Sequence, residues 1–122
     1  MPLCFLGDEN LPGRFFRAVQ RHNARGLPPL DLVRVGEPPD LPLGSVDPTI
    51  LLWIETNGRI LVTLDERSIP LHLINHLQSG RHVPGIFSVD PRATMAEVIE
   101  FLVLAAHASE PAEWLDHIRY VP

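Results

Sequence analysis

Two kinds of hydrophobic pattern alternate along the chain. Residues 3–7, 32–35, 60–64 and 85–89 are short, nearly continuous apolar runs. Such runs suit strands of a parallel sheet covered on both faces. Between them, residues 14–23, 48–57, 69–78 and 94–108 place apolar side chains three to four positions apart, the spacing of one helix face. Phe15, Phe16 and Val19 mark the first face and Ile50, Leu51, Trp53 and Ile54 the second. Leu71, Leu73, Ile74 and Leu77 mark the third, and Val98, Ile99, Leu102, Ala105 and Ala106 the fourth.

Helix punctuation agrees with these boundaries. Asn10 or Asp8 is the expected cap of the first helix, with Pro12 in its first turn and Gly26 closing it. Ser45 or Asp47 is the expected cap of the second, which Gly58 ends. Thr94 and Glu97 have the spacing of a capping box. Residues 36–48, rich in Pro and Gly, read as loop. The tail predicts a short helix near 112–116 and an extended piece over 118–121.

Strands alternating with helices imply right-handed crossovers and parallel pairing. The expected fold is therefore α/β, a three-layer α/β/α sandwich with a small, mostly parallel central sheet. The 122 residues fit one domain, 1–122, with 109–122 as a C-terminal extension.

Composition narrows the class. Hydrophobic residues make up 45% of the chain, enough for a real core. The single cysteine, Cys4, excludes a disulfide framework and suits a reduced, cytoplasmic setting. No apolar run is long enough for a membrane span, and the first residues lack the basic start of a secretion signal. The net charge of −5 argues against a broadly basic surface coating nucleic acid. All ten basic residues are arginines.

The acids carry the chemistry. Asp8-Glu9 follows the first strand and Asp65-Glu66 the third, while Asp47 opens a helix. Open α/β sheets place their sites at the carboxyl ends of strands, near the switch in strand order. If the first and third strands are neighbours, Asp8 and Asp65 project toward one cleft. Two carboxylates about 4 Å apart repel by about 4 kcal/mol at an effective dielectric of 20. Such a cluster must spread, take up protons or bind a cation, and all-oxygen ligands favour Mg²⁺ or Mn²⁺. Taken singly, Asp47 also reads as a helix cap and Asp65-Glu66 as turn acids.

These residues resemble a known family. Phe5-Leu6-Gly7-Asp8-Glu9-Asn10-Leu11-Pro12, then Asp47-Pro48-Thr49-Ile50-Leu51, then Ile60-Leu61-Val62-Thr63-Leu64-Asp65 are similar to the short PIN-like domains of bacteria and archaea, over roughly residues 3–105. The resemblance implies a minimal PIN fold and a metal-dependent endoribonuclease that hydrolyses RNA. Such proteins are often homodimers and toxins paired with an antitoxin protein. By carry-over, Asp8, Asp47 and Asp65 would be both the catalytic and the metal-binding acids, with Glu9, Asn10 and Glu66 supporting them. The family often has another acid two residues after the third-strand Asp, where this chain has Arg67. That departure gives a second reading, a catalytically decayed PIN-like domain acting as a protein-binding or regulatory module.

Arg14, Arg17, Arg21 and Arg25 line one helix face, which suits RNA phosphates, a partner or plain solvent, and Arg67 suits a substrate phosphate. His72 and His76 have i, i+4 spacing but no third ligand of clear spacing, so a structural role is expected. Trp53 and Trp114 read as core and tail-docking residues. The apolar tail, with Leu115, Ile118, Tyr120 and Val121, offers dimer contacts. A phosphorelay receiver also carries acids after its first and third strands, but it uses a lysine that this chain lacks. A dinucleotide binder would need a glycine-rich turn that residues 7–13 do not supply.

Overall fold

The computed structural model describes residues 2–121. Its elements run β1 (Cys4–Gly7), α1 (Gly13–Ala24), β2 (Asp31–Arg34), α2 (Asp47–Asn57), β3 (Arg59–Thr63), α3 (Ile69–Gln78), β4 (Ile86–Val89), α4 (Met95–Ala108), a 3₁₀ turn (Pro111–Glu113) and β5 (Ile118–Val121). The strands form one sheet in the order β2-β1-β3-β4-β5, and every pairing is parallel. The order reverses between β1 and β3, which makes that junction the switch point.

Strand alternation divides the core into two layers. Phe5, Ile60, Val62, Phe87 and Val89 face one side, where Phe15 and Val19 of α1 and Val98, Leu102 and Ala106 of α4 cover them. Leu6, Leu61 and Ile86 face the other, under Ile50, Leu51 and Ile54 of α2 and Ile69 and Leu73 of α3. This is the three-layer α/β/α sandwich. Each fully buried Leu, Ile or Phe contributes about 1.5–3 kcal/mol by leaving water.

Gly7 has a specific reason to be glycine. A Cβ there would lie 2.6 Å from Phe16 Cε1, so α1 packs tightly against the end of β1. Gly58 terminates α2 in the left-handed conformation, φ 66°, as its position predicts. The Thr94–Glu97 capping box of α4 is formed.

Several expectations need correction. No side chain caps α1, which begins after Pro12, because the Asn10 and Asp8 side chains turn instead to β3. Neither Ser45 nor Asp47 caps α2: Val46 holds the cap position and Asp47 is the first helical residue. β3 stops at Thr63 rather than Leu64, whose N–H goes to Asn10 Oδ1 at 3.2 Å. The tail is not an appendage, because Ile118–Val121 pairs with β4 as a fifth parallel strand. Trp114 packs edge-on against Phe87, with centroids 5.1 Å apart, and Val121 is buried. Leu115 and Tyr120 remain exposed. Among the described residues no helix is long and apolar enough to cross a membrane.

Candidate functional site

Parallel pairing of β1 with β3 sets Asp8 beside Thr63 at the carboxyl edge of the sheet. Gly7 pairs with Val62, so the next residues stand side by side and point to the same face. The Thr63 hydroxyl donates to Asp8 Oδ2 at 2.9 Å. Thr63 Oγ1 itself accepts from the Asn10 amide and from the Asp65 N–H, each at 3.1 Å. One donor and two acceptor positions are thereby filled, the full capacity of a hydroxyl.

Asp8 is buried, with 6% of its surface exposed. Its Oδ1 accepts the Glu9 N–H at 2.8 Å. Burial pushes the carboxyl above its ordinary value, and the neighbouring charges of Asp47 and Glu9 push the same way. The Thr63 and Glu9 hydrogen bonds oppose the rise without cancelling it. A carboxylate held in this state is relieved by either a proton or a cation.

Asp65 behaves differently. Burial raises its carboxyl, but hydrogen bonds from the Ser68 hydroxyl and from the N–H groups of Ser68 and Arg67, with help from His72, hold it below the ordinary value. Oδ1 accepts the Arg67 and Ser68 N–H groups at 2.9 and 3.0 Å, and Oδ2 accepts the Ser68 hydroxyl. Asp65 thus organises the turn leading into α3.

Asp47 reaches the same region from the start of α2. Its Oδ2 lies 3.4 Å from Ser68 Oγ and 3.6 Å from His72 Nε2. Ser68 has one hydroxyl proton, and its close contact with Asp65 takes that proton away from Asp47. The three aspartates therefore form a chain: Asp8 feels the charge of Asp47, and Ser68 stands between Asp47 and Asp65. Among the described residues, no three His, Cys, Asp or Glu side chains stand close enough to share one metal ion.

The surrounding residues divide. Asn10 clamps the edge of β3. Glu9 is exposed, and its Oε1 accepts the Gly44 N–H at 2.9 Å, which ties the 36–46 loop to the end of β1. Glu66 points to a separate cleft on the β4–β5 side. Arg67 is exposed and contributes its backbone N–H to Asp65. Arg14 lines a small cavity shared with Leu64 and Asp90, while Arg21 and Arg25 flank the groove between α1 and α4. Arg17 is exposed on the same helix. His72 and His76 diverge: His76 is buried, 2.9 Å from Glu55 Oε1, while His72 turns to Asp47.

The sequence pattern alone gives Thr63 and Ser68 no role. Thr63 stands two residues before Asp65, inside the Ile60–Asp65 run that resembles PIN-like domains. Ser68, three residues after Asp65 and just before a helix with proline in its first turn, has the spacing of a turn bound by an aspartate. No family model, curated protein or solved structure matches the chain.

Proposed function

We propose that the chain is a Mg²⁺- or Mn²⁺-dependent ribonuclease acting at the carboxyl edge of β1 and β3. The observation that carries this reading is Asp8: a buried carboxylate at the switch point, whose charge is disfavoured by burial and by Asp47. The donor set suits a hard dication, since Mg²⁺ typically takes one or two protein carboxylates and keeps several waters. Asp8 and Asp47 would hold it, with Asp65 joining if Ser68 yields. When bound, the ion supplies an activated water for attack on a phosphodiester.

The chain's own residues do the positioning. Thr63 fixes the Asp8 carboxylate through Oδ2, and the Glu9 N–H fixes Oδ1. Glu9, through Gly44, holds the 36–46 loop beside the edge where a strand of RNA would lie. The resemblance to short PIN-like domains supports the same chemistry, with an antitoxin and a second copy of the chain as the partners it implies.

Asp65 favours a second reading. Its carboxylate is already engaged by Ser68 and Arg67, and Arg67 stands where an acid is usual in PIN-like domains. A decayed domain retained for protein binding would look like this. Purified protein incubated with structured and single-stranded RNA in Mg²⁺ or Mn²⁺, beside Asp8→Asn, separates the two. Cleavage lost with that substitution supports the enzyme. Absence of cleavage in the parent, or equal cleavage by both proteins, removes it.

A further inference from the structure

The row containing Asp8 and Thr63 continues across the sheet. Thr63 pairs in register with Ser88 of β4, and Ser88 with Tyr120 of β5. All these side chains project from the same face of the sheet, since residues paired in register share a face. At neighbouring-strand spacings of about 4.8 Å, Tyr120 stands roughly 10 Å from Thr63. Between them opens a cleft of about 550 Å³, bordered by Glu66, Ser88, Asp90, Arg92 and Tyr120.

Ser88 is the unusual member. It is 2% exposed, and its Oγ has no hydrogen-bond partner among the described residues. A buried hydroxyl left without a partner costs about 1–3 kcal/mol, so its place on the wall of this cleft points to a ligand that supplies the missing bond. Tyr120 is a large aromatic side chain left 59% exposed at the cleft mouth. Glu66 is exposed and also borders the cleft. Asp90 is held by Arg92, whose Nε and Nη2 lie 3.3 and 3.2 Å from it, whereas Glu66 lies near enough for Arg92 to feel its charge but makes no side-chain hydrogen bond among the described residues, which leaves its two oxygens open to a ligand.

We propose that this cleft reads one guanine of the RNA, next to the phosphate placed at Asp8; the inference rests on the ribonuclease reading above. An aromatic face accepts any base by stacking. Single-stranded RNA is recognised by splaying a base out, stacking it on an aromatic side chain and bonding its Watson–Crick edge. A carboxylate has two acceptor oxygens and no donor. Guanine matches it with adjacent N1–H and N2–H donors, whereas uracil offers one donor, and cytosine and adenine offer a single amino group. Ser88 then donates to, or accepts from, the remaining edge of the base.

The test is an NMR titration of the full chain with each of the four ribonucleoside 5′-monophosphates, run without metal. The parent is expected to bind GMP roughly tenfold or more tightly than UMP, the discrimination typical of one bidentate pair. Glu66→Gln and Tyr120→Leu should each weaken GMP by a similar factor, and Ser88→Ala by less. Glu66 and Tyr120 are exposed, so neither substitution threatens the fold. Equal binding of all four nucleotides, or GMP binding unmoved by Glu66→Gln, overturns the proposal even where RNA is cut. GMP binding with the expected losses but no RNA cleavage upholds the cleft and removes the ribonuclease reading instead.

Discussion

The Thr63 hydroxyl donates to Asp8 Oδ2 at 2.9 Å across the β1–β3 junction. Thr63 Oγ1 also accepts from the Asn10 amide and the Asp65 backbone N–H, so a single side chain ties both acidic segments to one strand end. Thr63→Val keeps the shape and removes every one of these bonds. The loss of a donor to a buried carboxylate should destabilise the fold by about 1–3 kcal/mol. Thr63→Ser should restore most of it. Urea denaturation of the two variants checks this; equal midpoints for Val and Ser would show that the hydroxyl does not matter.

Asp8 and Asp65 should titrate in opposite senses. The folded state raises Asp8, so its favourable contribution is complete below the unfolded value of about 3.9 and is lost as pH climbs through the folded value. Asp65 is lowered, so its contribution is present above the unfolded value and disappears as pH falls through the folded one. Asp8→Asn should therefore raise Tm at pH 7 without metal, by about 2–4 °C, with the gain shrinking toward pH 4. Asp65→Asn should lower Tm at neutral pH. Thermal scans across that range decide it, and a destabilising Asp8→Asn would contradict the burial argument.

Metal should bind only the folded chain. Mn²⁺ at a hundredfold excess over its dissociation constant should add about 2.7 kcal/mol of stability, and Asp8→Asn should abolish the gain. Ser68→Ala should do something less expected. It frees an Asp65 oxygen, so the metal-free protein should lose about 1 kcal/mol while Mn²⁺ binds more tightly. Calorimetric titration of the parent and both variants measures each affinity, and weaker binding by Ser68→Ala would mean that Asp65 stays outside the site.

Gly85 controls how the fifth strand seats. Its φ is +151°, and a Cβ there would meet both Trp114 Cβ and Trp114 O at 3.0 Å. Gly85→Ala should cost about 2 kcal/mol through strain and displacement of backbone. Because Trp114 packs on Phe87 and Phe101, its fluorescence should shift toward that of an exposed indole. Unchanged emission with full stability would show that the tail accommodates the methyl.

Much of the fold was legible because it rests on local pattern. Continuous apolar runs marked β1, β3 and β4, and the 69–78 span matches the bounds of α3, although Leu71 and Ile74 of the expected apolar face are exposed and Ile69, Leu73 and His76 are buried instead. Helix caps were less legible where side chains had tertiary work: Asp8 and Asn10 are good local caps, yet both are drawn to Thr63, far along the chain. β5 reads in sequence only as an extended tail, since Ile118–Val121 carries Arg119 and Tyr120 among its apolar residues and half of it faces water. For the site, the positions of Asp8 and Asp65 followed from the strand ends. What could not be read was which carboxylate would be buried and which satisfied, because that depends on Ser68 and Thr63, whose partners are set by register and turn geometry.

The strand order also has a kinetic side. β1 lies inside the sheet, between β2 and β3, and β3 arrives from much further along the chain, so that the Arg59 guanidinium bonds the Phe5 carbonyl across 54 residues. Closing such a loop is entropically expensive and makes parallel sheets slow to form. Until it closes, Asp8 and Asp47 remain apart in water and do not repel each other. The mutual repulsion of the acids thus falls on the last stage of folding, where it should appear as faster unfolding with little effect on the initial collapse.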